Sequence, residues 1–168
     1  EYSQRDVKIF SDYNEMLKLP GLDAVSICTP PFAHAPATVA AASAGKHVFC
    51  EKPMSRIATE AKIMCDACNK AGVKLGYQSG GTRLGPINYA IRDYITSGKL
   101  GDVYYGRQTS FRVRGRPGID MPGFSKWFLD STQGGGGGIY DIGVYQIDRI
   151  LYLLGDPQPT TISGIAYR

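Results

Sequence analysis

The chain has 168 residues, 43% of them apolar and 20% charged, which is the composition of a soluble globular protein able to bury an ordinary core. No apolar run approaches the length of a membrane span, and a net charge of +4 is too slight to argue for a nucleic-acid surface. The first residues, Glu1-Tyr2-Ser3-Gln4-Arg5, read as the interior of a longer protein, so a targeting segment upstream stays open.

Val7 to Phe10 reads as a short strand. Asp12, with Glu15 three residues on, resembles a capping box for a helix over Tyr13–Leu19, and Pro20-Gly21 ends it. Ala24-Val25-Ser26-Ile27-Cys28 is a buried strand stopped by Thr29-Pro30-Pro31, and an Ala-rich helix follows over Pro36–Ala44, closed by Gly45. Next comes the strand His47-Val48-Phe49-Cys50, which runs straight into Glu51-Lys52-Pro53. Proline cannot donate to a ladder, so the strand stops there. A helix over Ser55–Ala71, closed by Gly72, and a strand near Lys74–Tyr77 complete an alternation that argues for βαβ units and a parallel sheet.

After Gly80-Gly81 the pattern changes, which puts a boundary near residue 80 between a parallel α/β part (1–80) and an α+β part (81–168). Ile87, Ala90, Ile91, Tyr94 and Ile95 form one face of an amphipathic helix ended by Gly98. Val103–Val113 alternates in part, as a half-exposed strand does; residues 114–133 are irregular. Five glycines, 134 to 138, lead into a helix over Ile139–Leu154, and Thr160–Tyr167 reads as a last strand.

Ligands of open α/β sheets lie beyond the carboxyl ends of the strands. Two neighbouring strands end here in Thr29-Pro30 and Glu51-Lys52-Pro53, so one crevice receives both. Lys52 is the strongest single candidate, because a strand end holds its stem; the plainer reading is a surface lysine paired with Glu51. The last helix carries Asp141, Tyr145, Asp148 and Tyr152 on one face, with Ile147, Ile150, Leu151 and Leu154 opposite for a core. The glycine run beside it permits close approach of a ligand or another element, or is a linker beside a solvated face. His34 either touches a bound ligand or hydrogen-bonds at the start of its helix. His47 pins the start of its strand. Arg112, Arg114 and Arg116 share a strand face that is a solvated edge rather than an anion site. Trp127 stacks on a sugar or, as the better reading, packs. Cys65-x-x-Cys68 lies on a helical stripe with Ile57, Ala61, Met64 and Ala71, and no second cysteine pair or nearby His completes a metal set. The four cysteines therefore read as core thiols of a reducing compartment, which places the protein in the cytoplasm, the periplasm not being excluded.

Several segments together resemble the glucose–fructose oxidoreductase and inositol dehydrogenase family (Gfo/Idh/MocA). They are Ala24-Val25-Ser26-Ile27-Cys28-Thr29-Pro30, Ala44-Gly45-Lys46-His47-Val48 with Cys50-Glu51-Lys52-Pro53, Arg83-x-x-Pro86, and Gly136-Gly137-Gly138-x-x-Asp141-Ile142-Gly143-x-Tyr145. The resemblance covers nearly the whole chain. It implies an incomplete Rossmann-like parallel sheet followed by part of an α+β domain with an open sheet, through which the full protein forms homo-oligomers. The implied activity is an NAD- or NADP-dependent oxidoreductase acting on a sugar, cyclitol or related alcohol; the alternatives are a sugar- or nucleotide-binding sensor on the same scaffold, or an inactive fragment. Carried onto this sequence, the resemblance puts Thr29, Pro30 and His34 along the cofactor. Glu51 and Lys52 fall at the nicotinamide ribose and the reacting carbon, and Lys52, Arg83, Asp141 and Tyr145 at the substrate. Lys52, Asp141 and Tyr145 are then the catalytic set, with Tyr145 as acid/base and Lys52 adjacent, or Lys52 itself passing the proton. Gly80-Gly81-Thr82 stands where the family has an Asn before Arg83. The family's glycine-rich phosphate loop has no counterpart here. In the strand order 3-2-1-4-5-6, Val7–Phe10 takes place 3 and the next strand place 4, which leaves places 1 and 2 empty. The chain is thus expected to be an internal fragment that folds poorly alone and binds no dinucleotide.

Overall fold

The computed structural model describes residues 7–79, 81, 83–111, 113–121, 123 and 126–165. Three strands, β1 (Ala24–Ile27), β2 (His47–Cys50) and β3 (Leu75–Tyr77), form one parallel sheet in the order β1-β2-β3. The register sets Ile27 beside Cys50 and Cys50 beside Tyr77, so all three strands finish at one edge. Helix α1 (Tyr13–Leu17) precedes β1; α2 (His34–Ser43) and α3 (Ala58–Ala71) cross between the strands and pack on each other. Gly45 and Gly72 turn the chain out of α2 and α3 with φ of 70° and 67°, a region that favours glycine.

The core is built by this first part. Leu17, Ile27, Ala35, Ala37, Ala41, Ala42, Val48, Cys50, Met64 and Cys68 make one buried cluster. Alanines on α2 let it lie close to the sheet and to α3, and Met64, fully buried, fills the gap between them. The buried stripe of α3 is narrower than its sequence suggests. Met64 and Cys68 are inside, but Cys65 and Ala71 are exposed and Ile57 is 56% exposed, because only the side facing α2 is covered. Cys28, just past β1, is exposed as well, so two of the four cysteines are not core thiols. Burial, aided by the Glu51 carboxylate nearby, pushes the Cys50 thiol up to about 12.

The second part is helical. Helix α4 (Pro86–Thr96) lies against α6 (Val144–Leu153); between them come a 3₁₀ turn (Lys126–Leu129), the single turn α5 (Ser131–Gly134) and a π-helical turn (Ile139–Gly143) that runs into α6. Here α4 turns the unexpected side inward. Ile87, Ile91 and Tyr94 are exposed while Asn88 is buried, since Arg92 is drawn onto the Tyr152 ring (4.2 Å) and towards Asp156. Nor does α6 bury an apolar face: Ile150 and Leu151 are half-buried, and Ile147 is 49% exposed.

Three expected strands are not formed among the described residues. At 7–10, Val7 and Ile9 are 84% and 93% exposed; at 103–113, Tyr104 and Phe111 are 97% and 90% exposed; at 160–165, Ile162 is 86% exposed. An extended segment becomes a strand only through a neighbour's ladder, and none of the three is paired in a ladder among the described residues; Gly106 lies instead against Ile150 and Leu154 of the last helix and its end. Arg112, Tyr167, Gly80 and the segment Glu1–Arg5, and with Arg112 the expected arginine face, lie outside the described residues; Arg116 pairs with Asp120 and Arg114 is exposed. No helix among the described residues is long and apolar enough to cross a membrane.

Replacing Met64 by Ala is expected to destabilise the chain by about 2–5 kcal/mol, seen as a lower denaturant midpoint with an unchanged slope. A shift inside experimental error would remove Met64 from the core. Thiol labelling of the native chain at pH 8 should modify Cys28 and Cys65 rapidly and Cys50 and Cys68 only on unfolding. Equal rates at all four would contradict the packing.

Candidate active site

The end of β2 delivers Glu51, Lys52 and Pro53 to the edge where β1 delivers Thr29 and Pro30. The Lys52–Pro53 peptide bond is cis. Lys52 turns across to the other half of the chain, where its ammonium donates to the Asp141 carboxylate Oδ1 (2.7 Å) and to the Asp141 backbone carbonyl (2.8 Å). Both side chains are largely withdrawn from water, 15% and 13% exposed. The same ammonium sits 5.1 Å from the centre of the Tyr145 ring, a cation–π distance. Lys52 thus forms one cluster with Asp141, 89 positions further along the chain, and with Tyr145 one helical turn beyond that.

The π-helical turn explains how Asp141 reaches the lysine. One wider turn re-aims its residues relative to the α-helix that follows, a feature that recurs at functional sites. Ahead of it, the glycine run lies against bulk. A Cβ on Gly136 would come within 2.1 Å of the Tyr140 ring, and Gly135, at φ 82°, lies over the Tyr140 ring and the Arg56 backbone. The glycines therefore admit another element, Tyr140 and the Arg56 segment. Arg56 adds a second link, donating to the Thr132 carbonyl (2.5 Å) while its other nitrogens hold Glu60. Glu60 lies below the usual carboxylate range because of that guanidinium.

His34 is fully buried, and its ring nitrogens lie 2.7 Å from the Thr29 carbonyl and 2.9 Å from that of Pro53. It braces the two loops from beneath and does not line the crevice. Thr29 is exposed, Pro30 and Glu51 are half-buried at the rim, and the Glu51 carboxylate accepts from the Lys52 backbone N–H (2.9 Å). His47 accepts from the Lys74 N–H (3.0 Å), tying the start of β2 to the segment entering β3. Arg83 is held by Asp148 through two nitrogens (2.6–2.9 Å) and by Asp156 (2.9 Å). The Asp148 contact, followed by Asp156, raises its guanidinium above the ordinary range. With Tyr152 stacked under Arg83 and Arg92, the polar face of α6 is occupied by cations along its length. Trp127 stacks on Phe128 (3.7 Å between ring centres), in keeping with packing.

Other groups at the site carried no sequence signal. Tyr77, at the end of β3, lines a cavity of about 330 Å³ with Pro53, Asp148 and the apolar side of α6, and burial pushes its phenol up. Gln146 and Arg149 line a second cavity, of about 590 Å³, beside Tyr145. A strand-end tyrosine and two polar helix residues look ordinary until the fold brings them together. Among the described residues no cluster of His, Cys, Asp and Glu is arranged for a metal.

Comparison with known proteins matches residues 2–79 to a family described as "Oxidoreductase family, NAD-binding Rossmann fold" and residues 89–167 to the "GFO/IDH/MocA C-terminal domain". The chain is 31% identical over 163 residues to D-glucoside 3-dehydrogenase of Escherichia coli, covering 97% of this chain and 44% of that protein. It is 34% identical over 149 residues to 1,5-anhydro-D-fructose reductase of Ensifer adhaerens, covering 89% and 43%. A levoglucosan dehydrogenase solved in complex with NADH and levoglucosan superposes with a TM-score of 0.67 at 28% identity, over 87% of this chain and 38% of that one. The chain thus spans less than half the length of these relatives. With two adjoining models of one family matched in order along its length, the chain belongs to the Gfo/Idh/MocA oxidoreductases, with a Rossmann-like NAD-binding fold in its first half.

Proposed function

We propose that the full-length protein transfers a hydride between a nicotinamide cofactor and the carbinol carbon of a sugar, cyclitol or related alcohol. In this reading Lys52, Asp141 and Tyr145 manage the proton at the substrate oxygen. The observation that carries it is the Lys52 ammonium, fixed on Asp141 at 2.7 Å and over the Tyr145 ring at the carboxyl edge of the sheet. The names of the relatives, dehydrogenases and a reductase of sugar derivatives, agree with it.

The rim of the crevice fits the cofactor. Three strands ending in register leave Thr29, Pro30 and Glu51 accessible along one edge, where a flat ring and its ribose would lie between them and Lys52. His34 acts there indirectly, by fixing the Thr29 and Pro53 carbonyls. A bound nicotinamide supplies or accepts the hydride.

The proton is the protein's task. An ammonium has three N–H donors, and Lys52 places two on Asp141. One donor is left for a substrate oxygen. In the reductive direction Lys52 gives that proton to the carbonyl oxygen as the hydride reaches its carbon; in the oxidative direction the neutral amine takes the hydroxyl proton. Asp141 offsets the lysine charge whenever Lys52 carries its proton. Lys52 meets the face of the Tyr145 ring, which favours Tyr145 as the group that orients the substrate hydroxyl and Lys52 as the one that passes the proton.

In the full-length protein, assayed by nicotinamide absorbance over a panel of sugars and polyols, Lys52→Met should lower kcat by about 10²–10⁴-fold and leave cofactor affinity within a few-fold of wild type. Wild-type turnover by Lys52→Met would end the assignment. Tyr145→Phe should act mainly on KM; a loss of kcat as deep as that of Lys52→Met would make the phenol the acid/base instead. Ligand binding without turnover on any panel member would favour a sensor on this scaffold.

A further inference from the structure

Two backbone carbonyls close on one buried ring from opposite sides. His34 Nε2 lies 2.7 Å from the Thr29 carbonyl oxygen, and Nδ1 lies 2.9 Å from that of Pro53 and 3.3 Å from that of Met54. A carbonyl oxygen only accepts, so both ring nitrogens have to donate. A neutral imidazole has a single N–H. It can serve one loop, and its remaining lone pair then faces an oxygen at the other. Only the imidazolium, with a proton on each nitrogen, satisfies both contacts. The ring is 0% exposed, so solvent does not relieve the mismatch.

A buried cation needs compensation, and here the carbonyl dipoles supply it. Burial acts against the charge, as does the N-terminus of α2, which His34 opens. The ionisable groups on the surrounding elements are engaged elsewhere. Glu51 accepts from the Lys52 N–H, Lys52 is on Asp141, and Glu60 of α3 is held by Arg56. Asp130 caps Thr132 in the turn that packs on residues 31–33. The Cys28 thiol meets the Ser26 hydroxyl at 3.4 Å, and burial pushes the thiols of Cys50 and Cys68 up. α2 carries no other ionisable side chain. Two hydrogen bonds to the loops are therefore what the second ring proton provides.

We propose that His34 is a proton-dependent clamp for the cofactor rim. Doubly protonated, it ties the loop after β1 to the loop after β2; when one ring proton leaves, one loop loses its donor and meets a lone pair instead. His34 reaches neither cofactor nor substrate and is a positioning residue. It acts through Thr29 and Pro30 on one side and through Glu51 and Lys52, next to Pro53, on the other. The consequence for the cofactor rests on the reading of this rim as its seat; the proton count on the ring does not.

The test uses full-length protein with ¹⁵N-labelled histidine, titrated from about pH 6 to about pH 9. The residue 34 signals are assigned by their loss in His34→Gln. The affinities for NADH and NADPH are measured by calorimetry in the same buffers. At the acid end both ring nitrogens should carry protons, and the better-bound cofactor should weaken by about tenfold along the same curve on which one proton is lost. His34→Gln has one donor atom and does not titrate, so it imitates the neutral ring. It should bind within about twofold of the alkaline wild type at every pH, with no step. A ring that stays doubly protonated throughout should go with a flat wild-type affinity, tighter than that of the variant. One bare nitrogen at every pH overturns the proposal. So does a step in affinity that survives in His34→Gln or occurs while both protons remain. Should the variant not fold, the match between wild-type ring signals and wild-type affinity decides alone. A doubly protonated ring in a protein that binds neither nucleotide would keep the proton count and sink the rim as a cofactor seat.

Discussion

A lysine at the end of a strand and an aspartate 89 residues later, joined at 2.7 Å, fix the relation between the two halves of this chain. Each partner is about one-seventh exposed, so neither is well hydrated on its own. A pair in such surroundings gains stability only if other bonds meet its remaining valences. Here the Asp141 carbonyl takes a second donor, and the Tyr145 ring lies beside the cation. Removing one partner would strand a charge that water cannot easily reach. The contact therefore holds the halves together and also presents a polarised N–H at the crevice.

Much of the surrounding structure keeps that lysine in place. Buried alanines of α2 and the Met64 side chain set the sheet and its two helices, and β2 lies in the middle of the three strands. From beneath, His34 binds the loops after β1 and β2 to one another. From the far side, Arg56 reaches Thr132, and the glycine run lets Tyr140 and the Arg56 backbone come close. Several weak constraints thus converge on one segment of four residues. The arrangement fits a site whose reacting groups come from different parts of the chain and must meet within a few tenths of an ångström.

What the sequence disclosed follows from how local the cause was. Strands that end at a proline and helices that end at a glycine are decided within a few residues, and β1, β2, α2 and α3 fall close to where the pattern puts them. The juxtaposition of Lys52 with Asp141 and Tyr145 was legible only through their family spacing, since no periodicity spans 89 residues. The face α4 turns to α6 was not legible: its apolar stripe reads Ile87, Ile91, Tyr94, yet Arg92 on Tyr152 decides the rotation. Alternation at 103–113 specifies an extended backbone but not a neighbour, and no strand forms there among the described residues. The two carbonyls that meet His34 gave no signal because they are set by packing, invisible before the fold is known.

The most direct measurement of the central claim is a double-mutant cycle on Lys52→Met and Asp141→Asn, read as unfolding free energy. If the two side chains share one desolvated contact, each single change should cost several-fold more than it does in the other's absence, with a coupling of about 1–3 kcal/mol. Additive effects within about 0.3–0.5 kcal/mol would mean that the lysine and the aspartate do not meet, and the account of the site would fall with them.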